Sequence, residues 1–596
     1  MKLQNIVYPS PKNCQEEQMY FRRSGDVAYI LADDAVTLNK GGTLFFDTYF
    51  NGFSASKWFK YTDIDNVFLK VKVNGKMFIT LTYLEKMADE IYTTIVEEVH
   101  VDTEGKDKEI KVKYNTEKRQ GMFAFKIFAL QEESKFYGGE YYTELNNLSP
   151  AKVKIGMVIC TFNRQEFVYK NMEMLTEAFL EGGTDELKDN LRIYISDNGR
   201  NLDESKIKSP NIKVFPNKNA GGAGGFTRGL IECMNDKKEK ITHALLMDDD
   251  IVMQPESIYR TYALLSLIKN EYKESYIGGA MLRIDRQWFQ TEAGGLWQGG
   301  SLLSRKCGLD LRTVDACLFN EFEEKCDYNA WWYCTIPMEF VREDNLPMPI
   351  FIRGDDVEYG LRNMKQLILM NGICVWHEPF EFKFSSMMYY YIFRNRLIDN
   401  SIHHQGYSKK AFWKEFIRWF FTELFLYRYK NAELLLEGTN DFLKGVDWLK
   451  EQDGEALNKE IMGKGYRLQD VSELEMPFDY GAYERTLRSV ESKKKQRLRK
   501  LLLNGIFLKA QGDVIVPTVA PHMAYFYRKA RVLHYDYSSK KGFVSKKDNA
   551  EFRRLYKELR KLKKLVDKNY DRVVDEYALR ANELMRLEFW NNYLEL

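Results

Sequence analysis

The sequence predicts a multidomain α/β protein: an N-terminal β-sandwich or jelly roll, a central doubly wound, Rossmann-like domain, and a C-terminal α-helical domain. Three observations predict it. Residues 1–150 carry period-two apolar alternation broken by Asn-Gly turn signals. From 151 to 400, short apolar runs alternate with helical segments, the pattern of a parallel sheet with crossover helices. From 401 to 596, Leu, Lys, Glu and Arg dominate. At 596 residues the chain is long enough for several cores.

In the first region Val67, Leu69, Val71 and Val73 alternate with outward positions, Asn74-Gly75 supplies a hairpin turn, and Met77-Phe78-Ile79-Thr80-Leu81 resumes. Asn51-Gly52 and Thr103-Glu104-Gly105 are further turn signals. Exposed aromatics here could touch saccharide, with core packing the plainer reading. In the central region, strands are expected at 153–160, 191–196, 212–215 and 244–247, with helices at 166–181 and 222–234. A further helix is expected at 357–371, with Asp355 and Asp356 as its N-cap and first-turn acid. In the last region, residues 550–587 read as one or two long helices laced with charge.

Composition narrows the function. Lys and Arg number 88 against 86 Asp and Glu, a net charge of +2, so no global field draws the chain to nucleic acid. Met1-Lys2-Leu3-Gln4-Asn5 leads into polar sequence with no apolar signal-peptide core. The longest apolar stretch, 413–427, is broken by Lys414, Glu415, Arg418 and Glu423, short of the roughly 18 residues a membrane helix needs. The eight cysteines form no CxxC pair, and Cys307, Cys317, Cys326 and Cys334 read as reduced packing residues of a cytoplasmic protein.

Chemistry concentrates at the predicted strand ends. Ala244-Leu245-Leu246-Met247 runs into Asp248-Asp249-Asp250, which sets hard oxygen ligands at the edge of a sheet where ligands bind. Such ligands suit Mg²⁺ or Mn²⁺ shared with phosphates; the plainer alternative is a solvated acidic loop. The first strand ends in Thr161-Phe162-Asn163-Arg164, and the fork of Arg164 suits phosphate or a uracil oxygen. The second strand ends in Asp197-Asn198-Gly199. The run Asn219-Ala220-Gly221-Gly222-Ala223-Gly224-Gly225 lets backbone approach a ligand and opens a helix whose N-terminus favours phosphate. It lacks the Gly-Lys-Ser/Thr of a P-loop. Asp355-Asp356 offers a general base as well as a helix start.

Taken in order, Thr161 to Arg164, the Asn-Ala-Gly-Gly-Ala-Gly-Gly run, Asp248 to Asp250, Tyr328-Asn329-Ala330-Trp331-Trp332, Arg353-Gly354-Asp355-Asp356-Val357-Glu358-Tyr359-Gly360 and Trp376-His377-Glu378 resemble a GT-A glycosyltransferase of the family-two type. The nearest likeness is to the bacterial polymerising galactofuranosyltransferases, which share this domain order. The resemblance implies an inverting, metal-dependent transferase. Asp248, Asp250 and His377 would be the metal ligands, Asp356 the base, and Thr161, Arg164, Asn198, Asn219, Asp248 and Asp249 would hold the uridine nucleotide. Trp297 would sit near the donor sugar. Trp331 and Trp332 would form an acceptor platform, with Trp332 the exposed member, and Glu292 and Asp355 would lie on the acceptor side. Gly354 stands where relatives often carry Trp.

The implied donor is UDP-galactofuranose and the implied acceptor an oligosaccharide or lipid-linked cell-surface glycan. A dTDP-rhamnose-dependent transferase and a non-catalytic carbohydrate-binding protein are the competing readings. Lys493-Lys494-Lys495-Gln496-Arg497-Leu498-Arg499-Lys500 followed by Leu501-Leu502-Leu503 could rest on anionic lipid. The expected location is therefore the cytoplasmic face of the cell membrane, held peripherally. Relatives associate as oligomers, so a homo-oligomer is a further expectation.

Overall fold

Alternation in the first region builds strands but not the hairpin it implies. Leu69, Val71 and Val73 are buried on the strand Phe68–Asn74. The next strand, Lys76–Met87, belongs to the opposite sheet, so the Asn74-Gly75 turn carries the chain across the sandwich, with Gly75 at φ +111°. The turn at Thr103-Glu104-Gly105 crosses back, between Glu90–Asp102 and Lys108–Lys113. Short-range sequence specifies a turn, whereas pairing is decided by which face each strand must bury. The two antiparallel sheets meet through aromatics: Phe46 stacks on Phe125 with centroids 4.2 Å apart and lies 5.0 Å from Phe136. The α-helix Ala55–Tyr61 interrupts this β region. The structure is a computed structural model and describes residues 1–596 apart from 31–34, 147, 181–185, 381–383, 404–406 and 489–490.

The central region opens with β1 (Ile155–Thr161), α1 (Gln165–Leu175), β2 (Leu191–Asp197), β3 (Ile212–Pro216), α2 (Gly221–Asn235) and β4 (His243–Asp248). The expected end of the first helix, residue 181, lies outside the described residues. These four strands are parallel in the order β3-β2-β1-β4. The sheet continues through β5 (Tyr276–Arg283) and β6 (Cys334–Pro337), the latter antiparallel to β4. After α3 (Asp355–Asn363) comes β7 (Leu367–His377), parallel to β5. Side chains alternate between two cores. Met157, Ile159, Ile193, Ile195, Leu245 and Met247 join the core that includes the sandwich. Val158, Tyr194, Ala244 and Leu246 join the core formed with α2 and the C-terminal helices. A parallel sheet covered on both faces needs this apolar content throughout.

Three expectations are corrected. The helix expected at 357–371 stops at Asn363, because Met364 is extended and Leu367-Ile368-Leu369 pairs with β5; a short apolar run does not by itself separate strand from helix. The C-terminal region is mainly helical, with α4 (Met387–His403) packed against Tyr429–Phe442 and the long Asn549–Arg580 helix. It nevertheless holds a four-stranded sheet of Gln469–Asp470, Asp513–Pro517, Arg531–Asp536 and Lys541–Lys546, which buries Ile515, Val516, Val532 and Leu533. Finally, the basic segment is an exposed helix, Lys493–Leu501, but Arg499 is buried against Glu491 at 2.8 Å. Lys493, Lys494, Lys495, Arg497 and Lys500 stay exposed beside Leu501, which is 80% exposed.

The long helix Asn549–Arg580 buries Leu555, Leu559, Leu562, Val566, Tyr570, Val573 and Tyr577, spaced by three and four residues as an amphipathic helix requires. The last helix, Leu587–Leu594, returns to the central domain and packs Trp590 and Leu594 against α2 near Gly224. All eight cysteines are free thiols, and Cys307 is exposed rather than packed. Among the described residues no helix is long and apolar enough to cross a membrane.

Candidate active site

The ends of β4 and β7 meet at one sheet edge. Val252 and Met253 pair with Trp376 and Val375, which folds the Asp248-Asp249-Asp250 turn against His377. One ligand atom each from Asp248, Asp250 and His377 lies within 4.8 Å of the others. His377 Nδ1 lies 2.6 Å from the Glu378 carbonyl, which can only accept, so Nδ1 carries the proton. Its Nε2 faces Asp250, 3.5 Å from Oδ1. Two carboxylates and an oriented imidazole fit a divalent cation. Arg164 bridges Asp250 at 2.7 Å and Asp249 at 3.0 Å. Asp249 itself turns inward, and Asn171 donates to its carbonyl and to that of Ile251. Burial and the neighbouring Asp250 charge push the Asp248 carboxyl up to about 7, a shift that a bound cation reverses.

The same cleft, about 810 Å³, is lined by Asp355 and Asp356 at the start of α3. The N-cap is Gly354, at φ +99°, so both aspartates occupy the first turn and Asp355 is not the cap. Asp356 Oδ1 accepts from the Val357 N–H at 2.8 Å. Burial raises both carboxyls, Asp355 to about 8 and Asp356 to about 6. Asp356 rises less because the Val357 N–H and the Arg353 guanidinium favour its charged form. The pair is thus split into a protonated and an ionised member near neutrality, the usual arrangement of an acid beside a base.

The loop before this pair is held under strain. Phe351 and Arg353 sit at φ +74° and +65°, in the left-handed region. Asn395 of α4 donates to the carbonyls of Ile350, Ile352 and Arg353 at 3.1, 2.7 and 2.7 Å. The Phe351 carbonyl accepts from the Ala223 N–H at 3.1 Å. A Cβ on Gly221, itself at φ +69°, would lie 2.2 Å from that oxygen. Farther along, a Cβ on Gly225 would lie 2.1 Å from Cys160 Sγ, and one on Gly229 2.2 Å from Val158. The glycine-rich run therefore serves close packing of α2 on β1 and on this loop; Gly222 is its member that lines the cleft.

The remaining expected residues divide. Trp297, Trp331, Trp332 and Glu292 line the cleft; Thr161, Asn198, Asn219 and Asp249 are buried and do not. Asn198 donates to the Gly221 carbonyl at 3.0 Å and accepts from Asn217, while Asn219 accepts from the Gly221 N–H, so both shape the turn into α2. The open indole platform is corrected: Trp331 and Trp332 are 4% and 6% exposed. Trp332 Nε1 donates to the Gly279 carbonyl, and Trp331 packs edge-on to Phe226 and Tyr359. Trp297 Nε1 donates to Asn400. Burial raises the Glu292 carboxyl. Sequence reasoning missed Arg353, Asn395 and Asp399. Arg353 could have been found as the cation next to the carboxylate pair, whereas nothing distinguishes Asn395 and Asp399 from other polar residues of a helix.

Residues 3–144 match the family model described as the N-terminal region of galactofuranosyltransferase 2. Over 436 residues the chain is 25% identical to galactofuranosyltransferase GlfT2 of Mycobacterium tuberculosis (strain ATCC 25618 / H37Rv), covering 67% of this chain and 65% of that protein. The chain resembles the galactofuranosyltransferases. A second galactofuranosyltransferase GlfT2, from Mycolicibacterium smegmatis (strain ATCC 700084 / mc(2)155), is 25% identical over 395 residues, 61% of this chain and 58% of that one. The matched part thus falls short of two thirds of either relative. Among solved structures, mannosyltransferase PcManGT from Pyrobaculum calidifontis in complex with GDP-Man and Mn²⁺ overlaps at a TM-score of 0.29 with 9% identity, covering 52% of this chain and 81% of that one. An overlap that loose carries no weight for function.

Proposed function

We propose that this chain is a metal-dependent, inverting GT-A glycosyltransferase that transfers galactofuranose from UDP-galactofuranose to a hydroxyl of a lipid-linked cell-surface glycan. The observation that carries this reading is the meeting, in one cleft, of a cation-type donor set, Asp248, Asp250 and His377, with the carboxylate pair Asp355 and Asp356. The names of the two relatives support the sugar.

In this reading Asp248, Asp250 and His377 hold Mn²⁺ or Mg²⁺. When bound, the ion supplies positive charge to the departing diphosphate. Arg164 adds a second cation on the nucleotide side, and Asp249 fixes its guanidinium. Asn198 and Asn219 act by shaping the glycine turn, and the Thr161 carbonyl accepts from the Asn198 N–H. The acceptor oxygen forms a bond to the anomeric carbon while that carbon's bond to the diphosphate oxygen breaks. The hydroxyl proton passes to the Asp356 carboxylate. Attack and departure on opposite faces invert the anomeric centre. Trp297 borders the donor sugar; Glu292, Trp331, Trp332 and Asp355 border the acceptor. The exposed cations of Lys493–Leu501 bring the cleft to an anionic cytoplasmic leaflet.

The test is nucleotide release from a panel of UDP- and dTDP-sugars with Mn²⁺ and a galactofuranosyl acceptor. Release from UDP-galactofuranose is expected. Turnover of dTDP-rhamnose instead would replace the donor, and no turnover of any sugar would overturn the enzyme reading.

A further inference from the structure

Asp399 lies on α4 one turn beyond Asn395, the residue that grips the strained loop. It lines the same cleft as Asp248, Asp356 and His377. It is 1% exposed, and its Oδ1 has no hydrogen-bond partner among the described residues. Its Oδ2 would lie only 2.7 Å from a Cβ placed on Gly354. The contrast with neighbouring buried acids is sharp. Glu358 is held by Arg362 at 2.8 Å and faces His403 at 3.2 Å, and Asp441 accepts from Tyr390. A buried carboxyl left without a donor destabilises a fold, and such groups persist where function uses them.

We propose that Asp399 is an acceptor-binding residue, whose carboxyl holds a sugar hydroxyl in the cleft beside Asp356. This rests on the glycosyltransferase reading. Two physical features favour a sugar hydroxyl over a cation or phosphate. Burial, and then the neighbouring carboxylates Glu358 and Asp356, push the Asp399 carboxyl well above its ordinary range, against the opposing pull of Arg396. Arg362 and His403 face Glu358. A carboxyl pushed towards its protonated form offers an O–H donor beside its acceptor oxygen, the same two-way pattern that a hydroxyl presents. Gly354 completes the arrangement, since any side chain there would strike the Asp399 oxygen.

The test compares Asp399→Leu and Asp399→Asn with the wild-type chain, using UDP-galactofuranose as donor and a synthetic galactofuranosyl disaccharide as acceptor. Asp399→Leu removes the hydrogen-bonding group and should raise the acceptor KM about tenfold, the scale of one lost buried hydrogen bond. The donor KM should not move, and Tm should rise because an unsatisfied buried polar group is gone. Asp399→Asn keeps a neutral donor and acceptor in the same shape, so its acceptor KM should stay within about twofold of wild type. An unchanged acceptor KM in Asp399→Leu, or a lowered Tm in both variants, would make Asp399 a structural residue. Calorimetric titration of the disaccharide reads the same contact without turnover. If the wild-type chain transfers no galactofuranose yet binds the disaccharide more tightly than Asp399→Leu does, the enzyme reading fails and this one stands. Equal binding by the two proteins, or none by either, overturns it.

Discussion

Asp356→Asn removes the proposed proton acceptor while keeping the residue's size and the hydrogen bond from the Val357 N–H. Loss of a general base lowers turnover by roughly 10²–10⁴-fold. The structure adds a pH signature. Burial lifts the Asp356 carboxyl to about 6, so the base form appears as pH rises through that value. For a carboxyl near 6, the ionised fraction drops about tenfold from pH 7 to pH 5. Wild-type kcat/KM should therefore fall roughly tenfold over that range, with its inflexion near 6. In Asp356→Asn that inflexion should vanish, and the residual rate should be flat across the range. Binding of UDP with Mn²⁺, followed by calorimetry, should stay within about twofold of wild type, because a base acts on the acceptor proton and not on the nucleotide. Asp355→Asn should be milder, since Asp355 is already held protonated near neutrality. A more damaging Asp355→Asn, or a wild-type inflexion kept in Asp356→Asn, would rule out Asp356 as the base.

Chelation by excess EDTA should abolish turnover, and Asp250→Ala should weaken UDP binding as well as rate; full activity in EDTA would remove the metal from the account. Gly221→Ala sets a Cβ 2.2 Å from the Phe351 carbonyl oxygen at φ +69°, and should destabilise the chain by roughly 1–3 kcal/mol, read as a lower denaturant midpoint; an unchanged midpoint would mean that the 351–354 loop yields without penalty. Lys493, Lys494, Lys495, Arg497 and Lys500 are exposed, and each can gain about 1 kcal/mol at an anionic surface. Binding to anionic vesicles should be released by salt and weakened when Lys493 to Lys495 become Glu, and equal binding to neutral vesicles would reduce the segment to a solvated helix face.

What could be read from the sequence was set by local pattern. Strand ends at Thr161, Asp197 and Asp248 follow from apolar runs meeting polar residues, and Asp248, Asp250, Asp355, Asp356 and His377 of the later motifs line one cleft. What escaped depended on partners distant in sequence. Asn74-Gly75 is a turn in either case, but only the second sheet decides that it crosses the sandwich. Leu367-Ile368-Leu369-Met370 becomes strand because β5 offers an open edge. Trp331 and Trp332 are packed because Phe226, Tyr359 and the Gly279 carbonyl surround them. Asn198 and Asn219 carry the residue types of a nucleotide site, yet their side chains are spent on Gly221. Arg499 stands among six basic residues and is the one that folds inward to Glu491. The 469–546 sheet could have been suspected from Val514-Ile515-Val516, a β-branched run inside an otherwise helical composition.

The proposed reaction is a single displacement at the anomeric carbon of UDP-galactofuranose, aided by Asp356 and a divalent ion that Asp248, Asp250 and His377 would hold. The most direct measurement is NMR of the product formed from UDP-galactofuranose, Mn²⁺ and a galactofuranosyl disaccharide. The expected result is a trisaccharide with one new galactofuranosyl linkage of inverted anomeric configuration. A retained configuration, or release of UDP with no new glycosidic bond, would contradict it.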